Sequence, residues 1–194
     1  MGHKQNMDRY PNNYHFPIYI QQHDNTCGPA CFAMIAEWAT GLPQSEYNWC
    51  KKLNADAGGV SVSKLDAALG IKTSKKMAKV ELDSARGTKV AIEIEKLFPN
   101  NINSSINIIN IKKDVGESLI YLALIDSYDI SATNLQHWIV LVGIKEYSGP
   151  MKECKGRNIV IYADPLETRL QAWDWESLKA AKVCALYKVW HNGH

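Results

Sequence analysis

The chain has 194 residues, of which 46% are hydrophobic and 22% are charged, and its formal net charge is +2. This length and composition are typical of one soluble globular domain. The small net charge excludes nucleic acid as the default partner, because no basic excess is present to neutralise phosphates. The five cysteines are an odd number, which argues against a disulfide scaffold and for a reducing compartment or a working thiol.

No segment of the sequence predicts a membrane span or a secretory leader. Nowhere does the chain reach the run of about 18 apolar residues that a spanning helix needs. The polar and aromatic N-terminus lacks the apolar centre of a signal peptide. We therefore expect either a cytoplasmic protein or one that enters the cytosol of a target cell by a leaderless route.

The first part of the chain predicts one dominant helix. Residues 1–15 are expected to be a flexible lead-in, and residues 16–20 (FPIYI) are expected to form a short strand. A helix rich in alanine then begins at Cys27, with Thr26 as its N-cap and Gly41 as its terminator. This helix has almost no polar surface, which indicates a central place in the fold.

Strands dominate the remainder of the sequence. Two shorter helices are predicted over 44–53 and 61–70. Residues 75–115 are expected to be an insertion, where 90–98 fits either a strand or a helix and 105–111 (SINIINI) predicts a strand. Later elements comprise four strands and one helix, over 119–125, 137–144, 158–165, 185–190 and, for the helix, 173–181. Helices followed by strands predict a single α+β domain over 16–194 with a mostly antiparallel sheet.

Cys27 opens the apolar helix directly after a polar loop. The unpaired N–H groups and the dipole at a helix N-terminus favour a thiolate over a thiol. Gly28 is expected to remove bulk beside the sulfur, so that a substrate carbonyl can approach. Gln21 lies six residues before Cys27 and offers an amide that can donate to a developing oxyanion, together with the Cys27 N–H.

A base and a group to orient it are found at the ends of two predicted strands. His137 begins an otherwise apolar strand, and Asp164 ends the next one. Pairing of adjacent antiparallel strands would bring the two side chains together, and the carboxylate would then fix the tautomer of the ring. With Cys27 these residues make a nucleophile, a base and an orienting group.

The same residues carry a resemblance to a known family. The pattern Gln21-x5-Cys27-Gly-Pro-Ala, with His137 opening HWIVLVGI and a later Asp164-Pro165, resembles the papain-like cysteine peptidases. Within them it is most similar to the bacteriocin-processing peptidases that cleave double-glycine leaders and to their stand-alone or toxin relatives. The resemblance covers residues 16–190. It implies a papain-like fold, with N-terminal helices packed on a sheet that carries the histidine and the aspartate.

The resemblance also implies a role for each residue. Cys27 would be the nucleophile, His137 the general base and then acid, Asp164 the orienting residue and Gln21 the oxyanion-hole amide, with no cofactor and no metal. The implied activity is that of a cysteine endopeptidase acting on a specific protein or peptide through an acyl-enzyme. A bacterial effector or toxin domain and a stand-alone processing peptidase both fit. A toxin would imply an immunity or inhibitor protein that covers the cleft.

Two other functions use the same fold. A papain-like nucleophile also serves glutamine deamidation or transglutamination in bacterial toxins. A degenerate peptidase-like domain can act only as a binding module. The complete set of Gln21, Cys27, His137 and Asp164 argues against the binding module, since binding alone does not need all four.

Other assignments of the individual side chains are weighed against these roles. Gln22 competes with Gln21 as the oxyanion amide, and Asp24 competes with Asp164 as the third member of the triad. A zinc site is a further alternative, with the candidate ligands His23, Cys27, Cys31 and His137. Their spacing is not that of a zinc finger or ribbon, so the catalytic interpretation is preferred.

Overall fold

The structure is a computed structural model that describes residues 8–10, 14–97, 119–126, 136–146, 158–174 and 183–192. Within these ranges it has helices α1 (Cys27–Thr40), α2 (Glu46–Lys52) and α3 (Val62–Leu69). Its strands are β1 (Asp8–Tyr10), β2 (Tyr14–Phe16), β3 (Met77–Asp83), β4 (Lys89–Leu97), β5 (Leu119–Asp126), β6 (Gln136–Glu146), β7 (Asn158–Ala163), β8 (Gln171–Asp174) and β9 (Val183–His191).

Helix α1 is the central helix that the sequence predicts. Every residue in it except Trp38 is buried. Gly41 ends it in the left-handed conformation with φ of 71°, which glycine adopts without steric cost, and donates its N–H to the Glu37 carbonyl. Thr26 stands at the N-cap but makes no side-chain cap bond, because its hydroxyl instead bonds the backbone of His23. The predicted capping role of that hydroxyl is therefore wrong.

The two shorter helices begin at serine caps. The Ser45 hydroxyl accepts from the Asn48 N–H at α2, and the Ser61 hydroxyl accepts from the Lys64 N–H at α3. Such caps satisfy donors that the first helical turn leaves without partners. Gly70 terminates α3, as its position in the sequence predicts.

Seven strands form one antiparallel sheet in the order β3-β4-β9-β5-β6-β7-β8, and β1 pairs with β2 separately. Strand β9 therefore lies between β4 and β5, which are far from it in the chain. The fold is a mixed one, with more sheet than helix among the described residues. This outcome agrees with the predicted helices and mostly antiparallel sheet.

Both faces of the central strands are buried. Leu122 and Leu124 of β5 pack in the cluster that contains α1, whereas Tyr121 and Ala123 belong to a second apolar cluster. Successive side chains of a strand point to opposite faces, so the two clusters lie on opposite sides of the sheet. Apolar burial on both faces explains why β5 and β6 are continuous apolar runs rather than alternating ones.

Some sequence-based expectations do not match the observed elements. Phe16 ends β2, and of the predicted strand 16–20 only Tyr19 forms a bridge, because Pro17 has no N–H to donate to a ladder. Residues 173 and 174 lie in β8 rather than in the predicted helix 173–181, whose remaining residues are outside the described ranges.

Two strands lie in the segment that the sequence leaves ambiguous. Residues 90–97 belong to β4, which forms a hairpin with β3. The rest of the expected insertion, including the predicted strand 105–111, falls outside the described residues. Division of the chain into a lead-in and one domain stays a prediction. Among the described residues, no helix is long and apolar enough to cross a membrane.

Candidate active site

Cys27 is the first residue of α1 and carries a free thiol. The residue is 9% exposed, so its sulfur lies at the edge of the apolar core. The first N–H groups of a helix have no intrahelical acceptor, and the helix dipole is positive at that end. A nucleophile here has donors close by for the charge that forms on a substrate oxygen.

His137 and Asp164 meet where β6 and β7 pair. The His137 Nε2 atom lies 2.7 Å from the Asp164 Oδ1 atom, and the carboxylate is only 2% exposed. The same Oδ1 accepts the Leu166 N–H at 2.8 Å, which fixes the carboxylate by a second bond. Pairing of β6 with β7 places Val140 opposite Ala163, so the strand ends carry the two side chains to the same edge.

The pKa of His137 is raised to about 9. Burial by itself lowers this pKa, but hydrogen bonds to Asp164 and to Cys27, with their charges, outweigh the burial. The ring therefore lies 2.7 Å from the carboxylate and near enough to Cys27 for that thiol to raise its pKa. At neutral pH it holds a proton that it can deliver to a leaving group.

Gln21 is tied to the same edge of the sheet. Its backbone N–H donates to the Pro165 carbonyl at 2.9 Å, directly after Asp164. Its side-chain Nε2 donates to the carbonyls of His23 and Asp24 at 2.9 and 3.1 Å. The Gln21 Oε1 is buried and accepts no hydrogen bond from the described residues. To serve an oxyanion, Nε2 must share one proton between the two carbonyls or release one of them.

Gly28 lies in close packing with Trp138, the residue that follows His137. A Cβ atom at Gly28 would lie 3.2 Å from Trp138 Cδ1 and 3.2 Å from Val60 Cβ. The Trp138 indole N–H donates to the Val60 carbonyl at 2.7 Å. Absence of a side chain at Gly28 thus lets α1 approach the indole next to His137. Gly28 therefore has a packing role, and the expectation that it clears space for a substrate carbonyl stays a prediction.

The competing assignments find different surroundings. Gln22 is exposed, and its backbone N–H bonds Glu46. Asp24 is exposed, and the described carboxylate partner of His137 is Asp164.

The zinc alternative also fails on geometry. Cys31 is fully buried and its Sγ donates to the Trp138 carbonyl at 3.3 Å. Burial, followed by the charges of Cys27 and Asp164, raises its pKa well above the usual value. In the described ranges, no three His, Cys, Asp or Glu side chains group closely enough to hold a metal ion.

Sequence reasoning overlooked one residue of this neighbourhood. Glu46 lies at the start of α2 and is 4% exposed, with both carboxylate oxygens directed at the Gln22 N–H. In the sequence it is only an acidic residue in the first turn of a helix, where acidic side chains are common. Its distance of 24 residues from Gln22 leaves no spacing signal that could have identified it.

Comparison with known proteins gives a relationship at the level of the fold. No family model matches the chain, and no curated protein is significantly similar to it. The structure is similar to the crystal structure of the peptidase domain of Streptococcus ComA, a bifunctional ABC transporter involved in a quorum-sensing pathway. The similarity has a TM-score of 0.50 at 14% identity and covers 88% of this chain and 95% of that domain. The chain therefore shares the fold of that peptidase domain.

Proposed function

We propose that this protein is a papain-like cysteine endopeptidase. The observation that carries the proposal is the position of His137, which lies 2.7 Å from the Asp164 carboxylate and near enough to Cys27 for that thiol to raise its pKa. A nucleophile, a base and an orienting carboxylate close together are the arrangement that acyl transfer requires. The shared fold with a peptidase domain supports the same function.

In the proposed reaction, the Cys27 sulfur attacks the carbonyl carbon of a peptide bond. The carbonyl oxygen becomes an oxyanion, which the Cys27 N–H and, after it exchanges a bond, the Gln21 amide stabilise. His137 donates its proton to the leaving amine as the C–N bond breaks, which leaves a thioester on Cys27. His137 then takes a proton from water, and attack by that water breaks the thioester, which releases the acid product and returns the Cys27 sulfur and the protonated ring to their starting state.

The substrate class and the biological role are further parts of the proposal. We infer a specific protein or peptide substrate and a role as a bacterial effector or toxin domain, or as a stand-alone processing peptidase. A toxin would need an immunity protein over the cleft and would act in the cytosol of a target cell. Expression of active and inactive forms in a bacterial host tests this role, because only the active form should slow growth.

Identification of new protein termini tests the peptidase itself. The protein and its Cys27→Ala variant are each incubated with a bacterial proteome, and new N-termini are identified by mass spectrometry. We expect new termini with the parent protein and none with Cys27→Ala. A matched control is Cys50→Ala, which removes a half-buried thiol on α2 and should leave cleavage unchanged.

Product mass separates the peptidase from the other functions. Proteolysis yields two fragments, whereas deamidation adds about one dalton to an intact substrate. Equal cleavage by the parent protein and Cys27→Ala would contradict the proposal. A proteome left unchanged by the parent protein would favour a binding module, and an intact substrate with the small mass increase would favour a deamidase.

A further inference from the structure

Glu46 is a buried carboxylate that no step of the proposed reaction uses. It is 4% exposed and accepts the Gln22 N–H with both oxygens, at 3.1 and 3.2 Å. A buried carboxylate is costly unless it is hydrogen-bonded, so this side chain is held in place by the loop that it contacts. That loop runs from Gln21 to Thr26 and ends at the nucleophile.

The two peptide groups that flank Gln21 are anchored by different elements. On its N-terminal side, the Gln21 N–H donates to the Pro165 carbonyl at 2.9 Å, next to the triad carboxylate. On its C-terminal side, the following N–H is the one that Glu46 holds. Together these bonds restrict rotation about both backbone torsions of Gln21. Its side chain therefore leaves the backbone in a fixed direction.

The Gln21 amide follows the same loop. Its Nε2 donates to the carbonyls of His23 and Asp24, which lie immediately after the anchored peptide. The Thr26 hydroxyl closes the loop by accepting from the His23 N–H at 3.2 Å. Release of the Gln22 anchor would thus move both the Gln21 backbone and the carbonyls that hold its amide.

We propose that Glu46 is a positioning residue for the oxyanion hole, and this inference rests on the peptidase function proposed above. Its carboxylate fixes the Gln21–Gln22 peptide from α2, so that the Gln21 amide keeps its place in the loop that leads to Cys27. Glu46 touches neither the substrate nor the reacting atoms and acts through Gln21. A displacement of about 1 Å of a catalytic group is enough to lower a rate by about 100-fold.

A purely structural role for Glu46 gives a different expectation. Glu46 is the first residue of α2, and its loss could simply weaken that helix. In that case the variant would lower stability and would affect catalysis equally whether or not the Gln21 amide is present. Positioning through Gln21 requires instead that the two changes be strongly coupled.

A double-mutant cycle on the peptidase reaction tests the proposal. Glu46→Ala is expected to lower kcat by about 10- to 100-fold with little change in KM, because an oxyanion donor acts on the transition state. In the Gln21→Ala background the same substitution is expected to lower kcat by less than about 2-fold. Glu46→Gln keeps an oxygen that can accept the Gln22 N–H and is expected to restore kcat to within about 3-fold of the parent.

Ser45→Ala is the matched control, because it removes the cap of the same helix and leaves the acceptor of Gln22 in place. It should lower the melting temperature and change kcat little. Hydrogen exchange of the Gln22 amide gives a readout that does not need a substrate, and Glu46→Ala should accelerate it whereas Ser45→Ala should not.

The outcomes separate this inference from the function on which it rests. If the parent protein cleaves its substrate but Glu46→Ala costs the same with and without the Gln21 amide, positioning is overturned and the peptidase stands. Unchanged exchange of the Gln22 amide in Glu46→Ala would also overturn it. A parent protein without activity on any proteome would remove the peptidase proposal first, whatever the exchange of Gln22.

Discussion

Helix α1 has a buried histidine at each of its two ends. At the N-terminal end, His137 lies between the Cys27 sulfur and the Asp164 carboxylate. At the C-terminal end, His191 is equally buried, at 7% exposure, and packs against the edge of the Trp38 ring with centroids 4.4 Å apart. Burial is therefore common to both histidines, whereas a bond to a buried aspartate is described for His137.

The two ends of α1 also differ in the groups that surround each histidine. A cavity of about 390 Å³ lies at the C-terminal end, and Trp38, Arg86 and His191 are among its lining residues. The described residues that line it include neither a cysteine nor a carboxylate. This cavity therefore lacks the groups that surround His137, and chemistry is expected where a helix N-terminus, a thiol and a held imidazole converge.

Replacement of the two histidines tests this comparison most directly. His137→Ala is expected to lower kcat/KM by at least about 10⁴-fold, because it removes both the base and the acid of the reaction. His191→Ala should leave kcat/KM within about 3-fold, since it is remote from the nucleophile. Steady-state assays with one cleaved peptide measure both values. Equal losses in the two variants would break the distinction between the ends of α1.

Asp164→Asn is expected to lower kcat/KM by about 10²- to 10⁴-fold, because the ring loses its orienting carboxylate. The pKa of His137, about 9 in the parent, falls when that carboxylate is removed. The alkaline limb of the pH profile marks loss of the imidazolium proton, so it should move to lower pH. A profile of kcat/KM from pH 5 to 10 measures the shift, and an unmoved limb would assign it to another group.

Stability should respond to pH through the same histidine. The folded pKa of His137, about 9, exceeds the ordinary histidine value of 6.5, so its contribution to stability is complete below pH 6.5 and is lost as pH rises through 9. We expect a loss of about 1 to 2 kcal/mol in the free energy of unfolding between pH 7 and 9. Urea unfolding measures it, and the His137→Ala variant should show a smaller loss over the same range. An equal loss in both proteins would contradict the assignment.

Substitution of the glycines at the two ends of α1 is expected to have the smallest effects on stability and activity, and it compares the two ends directly. Gly28→Ala places a Cβ 3.2 Å from Trp138 and Val60, so it should lower the free energy of unfolding by about 1 kcal/mol. Because it shifts Trp138, the residue after His137, it should also lower kcat/KM by about 3- to 10-fold. Gly41→Ala places an alanine in the left-handed conformation with φ of 71°, so it should lower the free energy of unfolding by about 1 kcal/mol without any change in activity. Thermal unfolding and peptide assays measure both. Identical activity in the two variants would mean that the packing at Gly28 does not affect the candidate active site.

Much of the candidate site could be predicted from the sequence, because its residues stand at positions that short local patterns identify. A cysteine that opens an apolar helix, and polar residues that begin or end apolar strands, predict the meeting of His137 and Asp164, which the structure places 2.7 Å apart. Their catalytic roles, and those of Cys27 and Gln21, stay predictions. The bond between Glu46 and Gln22 had no such signal, since it depends on how α2 packs on the loop.

The fold was predictable to the level of elements but not of their arrangement. Residues 137–144 and 158–163 are apolar runs that could only be buried strands, and they are β6 and β7. Trp173 belongs to β8 because it pairs with Val160 and packs on Tyr162, and these tertiary contacts override its local helix pattern. The position of β9 between β4 and β5 depends on contacts between distant parts of the chain, so no local sequence pattern predicts it.

The central place of β9 sets an order of events during synthesis. Until residue 191 has left the ribosome, the β3–β4 hairpin and the β5–β8 meander have no strand to join them. Tyr187, which lies 6.0 Å from Trp138 between ring centroids, arrives with that strand and completes the packing behind His137. Contacts so distant in sequence form late in folding. A nascent chain would therefore carry Cys27 long before the support of His137 is complete, so the candidate site can be completed only after residue 191 has left the ribosome.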